Sequence, residues 1–267
     1  MPVSNGRGYS VHTPKKQEIL ETIISKTCGT LRGIQKRYPN KNTVFNWIDA
    51  YSGPGYNYEV NCCGSPIIFR NLMIKERWSY IAHCIEKNPT TIEVLKNTVG
   101  RDRNFNFYCD DCGIVIQDVI NHIPGDPYGI LYMDNNGAPN FEVAQYVSNI
   151  ERFRHFDILL HLPATSIKRC IGARMTDLDL IDQISRINKK YWYIHLCHPF
   201  GSDAWQWVMV FGTNFEKWKG LERLDFFNIK TTKGESILNT INHKKSTPAE
   251  SMKEAQKPLF SFSGASA

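Results

Sequence analysis

The 267-residue sequence contains no uninterrupted apolar run near the ~20 residues that a bilayer-spanning helix requires. Its first ten residues, MPVSNGRGYS, lack the apolar stretch of a secretory leader. These two absences predict a cytoplasmic protein with no membrane partner. No internal repeat is present, which sets aside solenoids and propellers. Cys109-Asp-Asp-Cys112 has C-x-x-C spacing, but no second pair follows at zinc-ribbon distance, so no metal site is expected. The other cysteines, Cys28, Cys62, Cys63, Cys84, Cys170 and Cys197, are scattered, as reduced thiols in a leaderless chain would be. There is no acidic excess either. The net charge is +6, and all of it falls in residues 1–41, with eight Lys/Arg against two Glu; residues 42–267 balance at 24 each.

What is present is alternation. Residues 13–37 place Ile19, Leu20, Ile23, Ile24, Thr27 and Leu31 at three-and-four spacing behind Thr13-Pro14, which predicts a capped amphipathic helix. Apolar strands are then expected at 43–50, 79–86, 105–110, 128–134 and 155–162. Helices are expected between them at 65–76, 89–99, 112–121 and 140–153, with helical material again up to residue 190. Such βα units wind into a parallel sheet with helices on both faces. The strands at 191–197 and 205–212 are joined by HPFGSDA, too short for a crossover helix, so they form an antiparallel hairpin. The expected fold class is therefore α/β. It is a Rossmann-like class I methyltransferase fold, with a seven-stranded, mostly parallel sheet, a C-terminal antiparallel hairpin and an N-terminal helix. Three regions are expected: a basic helical segment over 1–41, the main domain over 42–242 and a flexible tail over 243–267, where Phe260 and Phe262 stand out.

Ligands of doubly wound sheets bind beyond the carboxyl ends of the strands, so the strand ends hold the chemistry. The first ends Asp49-Ala50-Tyr51-Ser52-Gly53-Pro54-Gly55. Gly53 and Gly55 can turn tightly and let a ligand approach the backbone. The third glycine of a dinucleotide fingerprint is missing, which argues against a pyrophosphate and a nicotinamide enzyme. Asp49 and this loop suit a charged amino group and a methionine moiety, although a plain turn fits the same residues. Glu86, followed by Lys87, is placed for ribose hydroxyls, or else to start the next helix. Asp110 is placed for an adenine amino group, with Asp111 as a helix cap or second contact. The fourth strand ends Asp134-Asn135-Asn136-Gly137. Carboxylates recurring at one sheet edge, Asp49, Glu86, Asp110 and Asp134, imply a pocket for S-adenosylmethionine.

The acceptor side is less determined. Asp134, Asn135 and Asn136 stand where the acceptor is handled, but without the two prolines and the aromatic that amino-directed nucleic-acid methylases place there. A ribose-hydroxyl reaction would ask for a Lys-Asp-Lys-Glu set, and Lys16, Asp134, Lys168 and Glu216 supply the order. His161, His195 and His198 are candidate bases near strand ends. Trp205 and Trp207 alternate on one strand face, as core residues do. Lys15, Lys16, Arg32 and Arg37 on the first helix are candidate contacts to a phosphate backbone, or a solvated helix face.

The segments HTPKKQEILETIISKTCG, FNWIDAYSGPG, GSPIIF, CIEKNP and ILYMDNNG together resemble the three-Cys-motif partner proteins. His12-Thr13, Lys16, Ile19-Leu20, the Asp49 to Gly55 loop and Gly64-Ser65-Pro66 carry the likeness, which runs to about Gly137. The family tends to have Asp-Pro-(Tyr/Phe)-Gly where this chain has Asp134-Asn135-Asn136-Gly137. The resemblance implies a methyltransferase fold, S-adenosylmethionine binding and a companion protein bearing the three-cysteine motif. The expectation is thus a methyltransferase acting on nucleic acid, DNA or RNA; the alternative is a catalytically inactive subunit of the same shape that binds nucleic acid or protein.

Overall fold

Side chains that cap helices mark where each βα unit turns. In the computed structural model, which describes residues 13–39, 43–58, 61–135, 140–163, 167, 179–197, 207–215, 221 and 224–242, Asn88 Oδ1 accepts the Thr91 N–H at 3.0 Å. Pro89 follows at the first turn, where its missing N–H costs nothing. Asp111 accepts the Gly113 N–H at 3.0 Å, and Asp179 accepts those of Ile181 and Asp182. These caps open α3 (Pro89–Val99), α4 (Cys112–Asn121) and α6 (Leu180–Ser185). The remaining helices are α1 (Thr13–Arg37), α2 (Ser65–Glu76), α5 (Phe141–Asn149) and α7 (Thr232–Asn242).

The strands are β1 (Phe45–Asp49), β2 (Tyr56–Asn57), β3 (Cys62–Cys63), β4 (Tyr80–Ile85), β5 (Phe105–Tyr108), β6 (Tyr128–Met133), β7 (Phe156–Pro163), β8 (Tyr191–Cys197), β9 (Trp207–Thr213) and β10 (Phe226–Asn228). The main sheet runs β10-β8-β9-β7-β6-β1-β4-β5. The pairings among β5, β4, β1, β6 and β7 are parallel; β9 is antiparallel to both β7 and β8. This is the expected Rossmann-like plan of a class I methyltransferase, with one addition: β10 extends the edge beyond β8, making eight strands rather than seven. The order reverses between β1 and β6, so the switch point lies between Asp49 and Asp134.

Alternation along the buried strands divides the core in two. Phe45 and Trp47 face α1, α2 and α3 with Ile23, Phe69 and Leu95. Ile48 faces the other side, with Ile116 of α4, Val147 of α5, Ile184 of α6 and Leu238 of α7. Trp47 stacks between Phe69 and Tyr132, with ring centroids 5.1 and 5.5 Å away. The expected helix over 140–153 divides into α5 and a 3-10 turn at Glu151–Phe153. The small β2–β3 ladder, β10 and α7 are not foreseen in the sequence pattern. The tail from 243, residues 198–206 including His198 and Trp205, and Lys168, Cys170 and Glu216 lie outside the described residues. No helix among the described residues is long and apolar enough to cross a membrane.

Gly129 shows how tightly the centre is built. A Cβ there would lie 2.0 Å from the Asn46 carbonyl oxygen on β1 and 2.7 Å from the Phe156 ring. Backbone cannot move aside in the middle of a sheet. Gly129→Ala is expected to lower unfolding free energy by about 3 kcal/mol or more, read from urea denaturation.

Candidate active site

The carboxyl ends of β6 and β7 meet the amino-terminal end of α1 at Lys16, in a row with those of β1, β4 and β5. The loop after β1 is held on three sides: Ala50 N–H donates to the Tyr132 carbonyl at 3.0 Å and Ser52 N–H to that of Ile85 at 2.9 Å. Gly53 N–H donates to Glu86 Oε2 at 3.2 Å. Gly53 and Gly55 have φ of +59° and +77°, as the loop requires. A Cβ at Gly53 would meet nothing within 4 Å, so space is open beside it, whereas at Gly55 it would strike Leu95 at 2.6 Å.

Asp49 is placed differently from its sequence reading as a direct ligand contact. It is fully buried beneath the loop. Oδ1 accepts the Tyr51 N–H at 3.3 Å, and Oδ2 has no hydrogen-bond partner among the described residues. Burial pushes its carboxyl up to about 7; the Ser65 hydroxyl and the Tyr51 amide oppose this, and the charge of Asp134 adds to it. Ala50 and Ser52 are buried and Tyr51 half-buried, with the Tyr51 side chain near Cys112, Asp111 and Asn140.

Glu86 is half-buried, and its Oε1 accepts the Asn88 N–H at 2.9 Å. Its two oxygens therefore join the β1 loop to the start of α3, and each keeps a further lone-pair site. Lys87 is exposed beside it. Asp110 is exposed, with Oδ1 accepting the Asp111 N–H at 2.7 Å, while Asp111 caps α4. Cys109 is an exposed free thiol and Cys112 a buried one.

Asp134 is the most heavily engaged group. Its side chain is 18% exposed and lies 2.6 Å from Lys16 Nζ through Oδ2. The Tyr132 hydroxyl donates to the same oxygen at 3.2 Å. His161 Nδ1 stands 2.7 Å from Oδ1, off the line of a good hydrogen bond. Burial by itself would raise the Asp134 carboxyl, but Lys16 and His161 override it and hold it well below the usual carboxylate range. Asn135 is buried; Asn136 lies outside the described residues. The His161 ring, 9% exposed, packs against Trp207 with centroids 5.1 Å apart. Gln17 Nε2 donates to the Cys63 carbonyl, so the start of α1 is fixed at two adjacent residues.

Lys16 thus joins Asp134 at the carboxyl edge of the sheet, apart from the other cations proposed with it. Lys15 pairs with Glu18, Arg32 with Glu76 at 2.5 Å, and Arg37 lies over the Tyr38 ring. The Lys16–Asp134 half of the Lys-Asp-Lys-Glu set is brought together. Sequence reasoning missed Tyr132 altogether, and His161 as the neighbour of Asp134. The signal for Tyr132 was its i−2 spacing at a strand end, which puts both side chains on one face. His195, the other candidate base in the described residues, lies on β8 with its Nδ1 3.2 Å from the Asp225 carbonyl, away from this cluster.

The strand order, with its antiparallel β9 between β7 and β8, is that of the Rossmann-like class I methyltransferase fold. No protein-family model matches the chain, and no curated protein matches it. Among solved structures it is similar to protein LPL1258 from Legionella pneumophila, of a family known as DUF519, at 13% identity and TM-score 0.49, covering 85% of this chain and 95% of that one. The METTL16 MTase domain is similar at 10% identity and TM-score 0.48, covering 81% and 74%. Precorrin-6y C5,15-methyltransferase from Geobacter metallireducens is similar at 13% identity and TM-score 0.43, covering 79% and 95%. At such identities and TM-scores these likenesses lend nothing to the reading of activity.

Removing Lys16 would leave a largely buried carboxylate with one partner fewer. Lys16→Met is expected to cost about 2 kcal/mol in urea denaturation, and the double variant Lys16→Met/Asp134→Asn to recover part of that loss.

Proposed function

We propose that the protein is an S-adenosylmethionine-dependent methyltransferase acting on nucleic acid. The observation that carries the cofactor half is the Gly53–Glu86 junction: an open glycine bend at the switch point, tied to a half-buried carboxylate at the end of the neighbouring strand. The residues present fit the cofactor. The two glycines leave room for a methionine moiety, Glu86 retains acceptor sites for ribose hydroxyls, and Asp110 or Asp111 can accept from the adenine amino group. Asp49, whose Oδ2 has no hydrogen-bond partner among the described residues, can supply negative charge under the loop when an ammonium bound above it favours the ionised carboxylate. The cofactor contributes an electrophilic methyl group on a sulfonium. The protein's task is to align an acceptor against it, which removes most of the entropic cost of reaction.

Nucleic acid as substrate rests on the concentration of positive charge in residues 1–41 and on the resemblance to three-Cys-motif partner proteins, which also brings a three-cysteine-motif companion into the proposal. Lys15, Arg32 and Arg37 are exposed cations of α1, as is Lys36. They spread over roughly 33 Å of helix at 1.5 Å per residue, a span suited to a phosphate backbone.

Calorimetric titration with S-adenosylmethionine tests the cofactor. Wild type is expected to bind and Glu86→Ala to bind about 10- to 100-fold more weakly, from loss of charge-assisted hydrogen bonds. Absence of binding by wild type removes this reading, and binding without transfer to any nucleic acid leaves the inactive-subunit alternative. The Asp49 carboxyl, pushed up to about 7, gives a pH signature. A cation above the loop favours its ionised form, so binding releases protons and affinity is expected to rise severalfold from pH 6 to pH 8. Asp49→Asn should flatten that dependence. Neutralising Lys15, Arg32 and Arg37 together, with Lys16 kept, is expected to weaken RNA and DNA binding and reduce its salt slope.

A further inference from the structure

Asp134 stands where an amino-directed methylase would present a free acceptor to a base amino group. Here its capacity is largely taken. Oδ2 receives Lys16 Nζ and the Tyr132 hydroxyl, and Oδ1 faces the His161 ring. The carboxylate therefore acts on the imidazole rather than on a substrate. Proximity of Nδ1 to a carboxylate oxygen is favourable when Nδ1 carries the hydrogen. Nδ1 has no other partner among the described residues, and its 2.7 Å approach to Asp134 Oδ1 leaves Nε2 with its lone pair. This is the arrangement of a base held in one tautomer by an acid.

We propose that His161, oriented by Asp134, takes the proton of a hydroxyl acceptor, and that this acceptor is the ribose 2′-hydroxyl of RNA. The inference rests on the nucleic-acid methyltransferase reading. Within nucleic acids, internal DNA residues carry no free hydroxyl, whereas every RNA residue does. A neutral hydroxyl that gains a methyl group becomes a strongly acidic oxonium, so its proton must leave as the new bond forms. The acceptor oxygen attacks the methyl carbon of the sulfonium donor. The C–O bond forms as the C–S bond breaks, its electron pair remains on sulfur as a neutral thioether, and the hydroxyl proton moves to His161 Nε2. The imidazolium so formed lies beside the Asp134 carboxylate and later releases its proton to water.

The surroundings of His161 suit this work. Asp134 at the end of β6 and Trp207 from β9 lie against the ring, and Lys16 from α1 and Tyr132 from β6 hold the other oxygen of that carboxylate. Burial lowers the imidazole below its ordinary value, Asp134 opposes this and Lys16 adds to it, so the ring is unprotonated near neutrality.

Two measurements test the proposal. The first follows tritiated methyl from S-adenosylmethionine into RNA and DNA of one sequence, with alkaline hydrolysis of the product. Label is expected in RNA alone, in alkali-resistant dinucleotides, since a methylated 2′-oxygen cannot attack the adjacent phosphate. His161→Gln should lower transfer by roughly 10²- to 10⁴-fold, with cofactor affinity within about twofold of wild type, which also reports folding. The second is nitrogen-15 NMR of the imidazole, assigned by loss of its signal in His161→Gln. The Nδ1–H tautomer is expected at pH 7.5, with a midpoint of protonation that rises in Lys16→Met. Label in bases or in DNA, transfer undiminished in His161→Gln, or an Nε2–H tautomer overturns the proposal while leaving the methyltransferase reading intact. Failure of the wild type to bind the cofactor overturns both.

Discussion

Asp134 carries its negative charge at a depth where a lone carboxylate would be costly, and the groups that compensate it come from separate parts of the chain. Lys16 arrives on α1, Tyr132 on β6 and His161 on β7. The charge therefore fixes more than itself. Lys16 can reach it only if α1 lies across the sheet with its amino-terminal end at the carboxyl edge, where Gln17 also meets β3. The apolar stripe of α1, Ile19, Leu20, Ile23, Ile24, Cys28 and Leu31, is buried in that same placement. Packing supplies the attraction along the helix, and the ion pair sets where along the sheet it stops.

Much of this was legible because the sheet writes a regular text. Strands buried on both faces read as continuous apolar runs, and capping residues such as Asn88 and Asp111 mark where helices begin. α2, α3 and α4 start and end where periodicity places them. The short β2–β3 ladder was not legible, since two-residue strands have no period to detect. Neither was β10, whose three residues gain strand character only by pairing with β8. Both are tertiary events, written in contacts rather than in local pattern.

The site divides along the same line. Asp49, Gly53, Gly55, Glu86, Asp110 and Asp111 cluster at strand ends because a doubly wound topology gathers strand ends, so a reader who sees the strands sees the cluster. The pairing of Lys16 with Asp134 is separated by 118 positions in sequence and depends on the path of α1 over the sheet. Its mate His161 depends on β7 lying beside β6 in the observed register, with Met133 opposite Leu160. Charge pattern grouped Lys16 with Lys15 on a basic face, because adjacent lysines look alike in a sequence, and only the order of a Lys-Asp-Lys-Glu set linked it to Asp134. One residue of helix, a turn of about 100°, separates an exposed cation paired with Glu18 from one directed at Asp134.

Asp49 and Asp134 end neighbouring strands at the switch point, and their environments drive them apart. Asp49 is sealed under a loop with no cation beside it among the described residues, and burial pushes it up to about 7. Asp134, also largely buried, is held well below the usual range by Lys16 and His161. Separation of this kind assigns work: the group that stays charged can orient a base, and the group that titrates near neutrality can respond to a ligand. The two are also coupled, since the fixed charge of Asp134 is one reason Asp49 resists ionisation. Any cation bound over the β1 loop must act against that repulsion and in doing so lowers the Asp49 value. The Lys16–Asp134–His161 cluster thus acts on the β1 loop through one shared edge of the sheet.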